Sequence, residues 1–185
     1  MVRQITDAYL RFTHMTVYRK NAAQTTVDLN TDILKKFLAH KDDVEVKKTH
    51  LFDGRYENIY LTEKQIPELT LLVAEAKTLA ADILITGNLR VGFWFNYMPP
   101  ESSTLIHSHD DYDELLSAVY YVHVPKNSGN LIIYETQKMN QEEKITIEPH
   151  VGEFIFFKPE TRHEVSKNCS NEHRLSIGIN FGIDK

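Results

Sequence analysis

From residue 88 onward the chain changes grain. RVGFWFNYM, LLSAVYYVHV, NLIIYE, KITIEP, GEFIFFKP and RLSIGINFG follow one another as short aromatic or β-branched runs, separated by clusters of Pro, Gly, Asn and Ser. Residues of the first kind fit a half-buried pleated surface and those of the second fit tight turns, so each run predicts a strand. Six or more strands at this spacing suggest a sandwich or a barrel.

The first 87 residues read differently. FTHMTVYRK (12–20) alternates apolar and polar side chains and predicts an early strand, while NTDILKKFLAHKDD (30–43) carries Ile33, Leu34, Phe37 and Leu38 at helical spacing. A stronger stripe follows over 68–83, where Leu69, Leu72, Val73, Ala76, Leu79, Ala80 and Ile83 share one face; Pro67 suits the first turn and Gly87 the exit. The expectation is a mainly β fold with flanking α, its helices packed on the outside of the strands. At 185 residues the chain has the size of a single domain (1–185), divided into a helical and strand buttress (1–87) and a β core (88–182). The second helix offers a face for a homodimer as readily as for packing within the chain.

Composition narrows the chemistry. A formal charge of -5 argues against general nucleic-acid binding, which needs a basic footprint. Cys169 is the single cysteine, so neither an intramolecular disulfide nor a thiolate cluster is available, and any metal falls to His, Asp or Glu. That usage fits a reducing, cytoplasmic setting. MVRQITDAYLRF has no apolar stretch of signal-peptide length, and no segment approaches the ~18 apolar residues of a membrane span.

The chemistry-bearing stretch is IHSHDDYDELLSAVYYV (106–122). In an extended segment, His107 and His109 leave the same face and converge on one point, and Asp111 continues that face. His163 follows a strand and a turn in FFKPETRH, which brings it to a sheet end. Imidazoles and a carboxylate are the donors suited to non-heme Fe(II) with open positions. His14, His40, His50, His123, His150 and His173 show no such grouping and read as ordinary surface or core residues. Phe93, Phe95, Phe154, Phe156 and Phe157 read more readily as core than as walls of a cavity.

The last strand adds a second clue. Arg174, Ser176, Gly178 and Asn180 fall on one face, Leu175, Ile177, Ile179 and Phe181 on the other, so a permanent cation and a hydroxyl share a space. A buried guanidinium needs an anion, and with Ser176 beside it the pair describes a clamp for a dicarboxylate; taken without the histidines, Arg174 reads instead as an edge-strand residue paired with a surface Glu.

Taken together, WFNYM, HSH, LLSAVYYVHVPKNSGNLIIYE, GEFIFFKPETRHEV and RLSIGINF resemble the 2-oxoglutarate and Fe(II)-dependent oxygenases, in particular a bacterial and phage subgroup and, more distantly, prolyl hydroxylases. The resemblance covers roughly residues 88 to 182. It implies a double-stranded β-helix (jelly-roll, cupin-like) core and a dioxygenase that uses Fe(II), 2-oxoglutarate and O2 to hydroxylate a C–H bond, releasing succinate and CO2. His163 becomes the distal iron ligand, Arg174 and Ser176 hold the far carboxylate of 2-oxoglutarate, and Tyr121 or Tyr97 adds a hydroxyl. Counting from Trp94 and Tyr97 makes His107 and His109 the proximal ligands; counting back from Ser117 and Tyr121 makes them His109 and Asp111. The substrate, a small molecule or a peptide or protein, is left open, with YDELL (112–116) and the Asp53–Asn58 stretch as candidate selectivity segments. A cupin-like metal protein or isomerase without 2-oxoglutarate is the alternative, and it places Arg174 outside or paired away from the histidines. A non-catalytic binding module is the other, and it binds no metal.

Overall fold

The computed structural model describes residues 17–23, 27–109, 113–136 and 142–184. Eleven strands and two helices appear among them. The early strand is present as β1 (Val17–Asn21); the part of the expected strand before Val17, His14 included, lies outside the described residues. The helices are α1 (Val27–His40) and α2 (Leu69–Leu84). Between them runs a hairpin, β2 (Lys47–Phe52) and β3 (Arg55–Tyr60). The β-rich part contributes β4 (Leu89–Met98), β5 (Thr104–His107), β6 (Glu114–His123) and β7 (Leu131–Thr136). It continues with β8 (Glu142–Ile147), β9 (Glu153–Phe157), β10 (Arg162–Val165) and β11 (Arg174–Ile183).

The strands form two antiparallel sheets, one of seven in the order β1-β9-β6-β11-β4-β3-β2 and one of four in the order β5-β10-β7-β8. Crossovers between the two are what a jelly roll requires. The outer face of the larger sheet carries Phe95, Tyr120, Phe154, Phe156, Leu175, Ile177, Ile179 and Phe181. They form one core with Ile33 and Phe37 of α1 and Leu69, Leu72, Ala76 and Ala80 of α2. Each such aliphatic or aromatic side chain, fully withdrawn from water, contributes about 1.5–3 kcal/mol. The helices are therefore the buttress that the apolar stripes require.

Three details differ from the sequence reading. Helix α1 starts at Val27 and ends at His40, so Asn30 and Thr31 lie inside it and the 30–43 stretch does not open it. Helix α2 ends at Ile85, which takes the left-handed conformation (φ 56°) and donates its N–H to Ala81 O, so the exit precedes Gly87. The β2–β3 hairpin was not anticipated. Its turn, Asp53-Gly54, has φ of 48° and 77°, the two positive values a type I′ turn needs, and Asp-Gly between KKTHLF and RYENIY is the local signal for it.

Candidate active site

Strand alternation separates the two faces of β11 as expected. Leu175, Ile177, Ile179 and Phe181 enter the helix-packed core, whereas Arg174, Ser176, Gly178 and Asn180 line a cavity of about 440 Å³ between the two sheets. Neighbouring strands extend this second face in register: Ser176 sits between Asn96 of β4 and Tyr121 of β6, and Gly178 between Trp94 and Val119. All of these side chains line the same cavity. Gly178 has a steric reason to be glycine, because a Cβ there would lie 2.5 Å from the Trp94 indole.

The three histidines meet in this cavity. His107 closes β5 and faces His163 of β10 across the ladder, while His109, two residues on, is fixed by its backbone N–H donating to Pro159 O at 2.7 Å. The ring centroids lie 4.3 Å (His107–His163) and 5.0 Å (each to His109) apart, and one nitrogen from each ring falls within 4.8 Å of the others. Two of the rings are oriented by the same device. Nδ1 of His107 lies 2.8 Å from Leu105 O and Nδ1 of His163 lies 2.9 Å from Thr161 O. A carbonyl only accepts, so both Nδ1 atoms carry the proton and both Nε2 lone pairs are left for a metal. Burial, followed by the neighbouring His107, pushes His163 down to about 3, which keeps it in the neutral, ligating form. This donor set fits Fe(II): borderline nitrogen ligands, pre-oriented, at the wall of a cavity that leaves room for further ligands.

Arg174 lies 2% exposed in the same cavity wall. Its Nη1 donates to Gly129 O at 3.1 Å and Ser128 O at 3.4 Å, its Nε is buried without a partner, and no carboxylate among the described residues pairs with it. Burial pushes its pKa down, yet a guanidinium stays charged, so the cavity holds a permanent cation lacking an anion. Tyr121, 1% exposed, stands with its ring 5.9 Å from that guanidinium, and burial drives its hydroxyl up to about 12. The phenol is thus a neutral hydrogen-bond donor.

Tyr97 does not line the cavity. It pairs with Leu175 in the β4–β11 ladder and so points to the helix side, stacked on His173 at 4.4 Å and against Phe37 at 5.3 Å. The alternation of β4 puts Trp94 and Asn96 in the cavity in its place. Asp111 lies outside the described residues. Among the phenylalanines, Phe95, Phe154 and Phe156 are core, Phe93 packs against that core, and Phe157 lines the cavity, 4.6 Å from the His163 ring. The hairpin supplies cavity residues that the histidine grouping passed over: His50, Glu57, Asn58 and Tyr60. Only its Asp53–Asn58 part was singled out beforehand, as a selectivity segment.

Residues 92–180 match the family model described as putative 2OG-Fe(II) oxygenase. The core is that of a 2OG-Fe(II) oxygenase. Solved structures carry the same fold over nearly the whole chain. A Pseudomonas putida prolyl-4-hydroxylase superposes with a TM-score of 0.72 at 18% identity, covering 97% of this chain and 99% of its own. A Trichoplax adhaerens prolyl hydroxylase, solved with a hypoxia inducible factor peptide fragment, gives 0.70 at 14% identity over 97% and 90%. The epimerase SnoN, solved with Fe3+, alpha ketoglutarate and nogalamycin RO, gives 0.72 at 13% over 99% and 85%. No curated protein sequence matches the chain. The family match over the β core, together with three histidines able to hold the metal, indicates an enzyme of the class that uses iron and 2-oxoglutarate; the jelly-roll fold is shared with the solved structures. No helix among the described residues is long and apolar enough to cross a membrane.

Proposed function

We propose that this oxygenase couples the oxidative decarboxylation of 2-oxoglutarate to hydroxylation of a C–H bond, with His107, His109 and His163 as iron ligands. The balance is 2-oxoglutarate, O2 and R–H giving succinate, CO2 and R–OH. Iron, when bound, supplies the site where O2 and the keto acid react; the protein orients, anchors and excludes water. Arg174 and Ser176 seat the far carboxylate of 2-oxoglutarate, and the Tyr121 hydroxyl donates to it. The observation that carries this reading is the buried guanidinium without an anion in the cavity that also holds the three imidazoles. A cupin-like protein without a keto-acid co-substrate has no use for that charge, and leaving it unmatched costs stability.

Residues 1–87 act with the 88–182 core as one domain, through the apolar packing of both helices. The lone cysteine supports a cytoplasmic location, and the acidic balance supports a small-molecule, peptide or protein substrate over nucleic acid.

The test is succinate release under O2 from Fe(II), 2-oxoglutarate and folded protein. The wild type is expected to release succinate slowly without substrate, and His163→Ala and Arg174→Ala to abolish it. Undiminished turnover in Arg174→Ala would overturn the clamp. Comparing His107→Ala with Asp111→Ala decides the ligand set, since only the true ligand's removal releases the metal.

A further inference from the structure

The strand that brings His107 to the cavity is short and thinly held. β5 has four residues and faces β10 at His107 (opposite His163) and Thr104 (opposite Val165), with a shift of register between the two. His163, by contrast, sits on a strand paired on both sides, with His107 on one and Ile133 of β7 on the other. β5 has a further anchor outside its own sheet.

The β2–β3 hairpin provides it. Arg55 opens β3 directly after the Asp53-Gly54 turn, and its side chain is 10% exposed. Its Nη2 donates to Ser103 O at 2.8 Å and to Thr104 Oγ1 at 3.0 Å, the last residue before β5 and the first residue in it. Glu57 Oε1, 2.8 Å from the same nitrogen, holds the guanidinium in place. The remaining nitrogens, Nε and Nη1, are buried and unpartnered, so the guanidinium is committed to this contact through a single atom. The hairpin itself joins the larger sheet through β3 and β4, with Ile59 opposite Phe95.

We propose that Arg55 is a positioning residue for the metal site: it ties the hairpin to β5 and thereby fixes where His107 presents its Nε2. This rests on the three-histidine reading. On its other side the hairpin lines the cavity with His50, Asn58 and Tyr60.

The test uses Co(II), whose visible spectrum reports ligand number and geometry without turnover, bound to the full chain of wild type, Arg55→Gln, Arg55→Lys, Thr104→Val and Leu51→Ala. Removal of partners beyond the ligands costs about 10–100-fold in metal affinity when they touch the ligand directly, so a loss of about tenfold is expected here for Arg55→Gln, with altered Co(II) bands. Arg55→Lys restores part of it, and Thr104→Val, which deletes one acceptor at nearly constant volume, gives a smaller change in the same direction. Leu51→Ala, at an exposed position of the same hairpin, leaves affinity and spectrum unchanged, as expected for a hairpin substitution away from the tie. Wild-type affinity and spectrum in Arg55→Gln would overturn the proposal. Should that variant not fold, an unchanged Thr104→Val spectrum and affinity would overturn it equally. Absence of Co(II) binding by the wild type would instead count against the histidine site itself.

Discussion

The two faces of β11 are made from one strand and obey opposite rules. On the helix side Leu175, Ile177, Ile179 and Phe181 are at most 1% exposed and exchange only dispersion and hydrophobic contacts. On the cavity side Arg174 and Ser176 are nearly as dry, at 2% and 3%, yet the charge has no anion among the described residues. Equal burial thus has two meanings. The apolar face is buried because that stabilises the fold; the polar face is buried although it does not, which is the observation behind the proposed 2-oxoglutarate clamp.

Mutations on each face should separate these meanings. The largest effect is expected from Arg174→Met, which removes the cation at similar volume. Binding of 2-oxoglutarate, read by calorimetry, should weaken by about 2–5 kcal/mol, the range for truncating a buried charge partner. Thermal stability should stay level or rise, because an uncompensated buried charge has gone. A lower Tm with intact 2-oxoglutarate binding would invert the comparison. On the other face, Ile177→Ala should cost about 2–5 kcal/mol of unfolding free energy by denaturant titration while 2-oxoglutarate affinity holds.

Tyr121 sharpens the cavity side through pH. Its folded pKa, about 12, lies above the ordinary value of 10.0, so between the two the native state keeps a proton that the unfolded chain has lost. Its contribution is therefore complete below pH 10 and declines as pH rises towards 12, by about 1.4 kcal/mol per unit. Tyr121→Phe should remove that alkaline slope from the stability curve; an identical slope in the variant would place the titration elsewhere. The smallest effect is expected from Gly178→Ala. Its Cβ meets the Trp94 indole, which lies 5.4 Å from His109, so the indole must shift within the cavity. A change of about 1–3 kcal/mol in stability is the usual range for overpacking, with a visible change in tryptophan emission as the specific readout.

Much of this was legible in the chain because a period of two is a strong constraint. The alternation in RLSIGINF assigns Arg174 and Ser176 to one face without knowledge of any partner strand, and His-Ser-His assigns two imidazoles to one point. Tyr97 failed for a related reason: its face depends on the β4–β11 register, pairing it with Leu175, and register is a tertiary property that no local pattern in WFNYM states. The hairpin was missed although Asp53-Gly54 announces it, since KKTHLF and RYENIY are too polar to alternate clearly. Arg55 is the extreme case, a residue whose partners, Ser103 and Thr104, lie 48 and 49 positions away.

The direct test of the central claim is an anaerobic titration of the Fe(II)-loaded protein with 2-oxoglutarate, followed by visible absorption. A charge-transfer band that grows to saturation in the wild type, and is absent in both Arg174→Met and His163→Ala at the same concentrations, is the result expected if three imidazoles and one buried guanidinium share a ligand. A folded, iron-loaded wild type that shows no band, or an Arg174→Met variant that saturates as the wild type does, would contradict it.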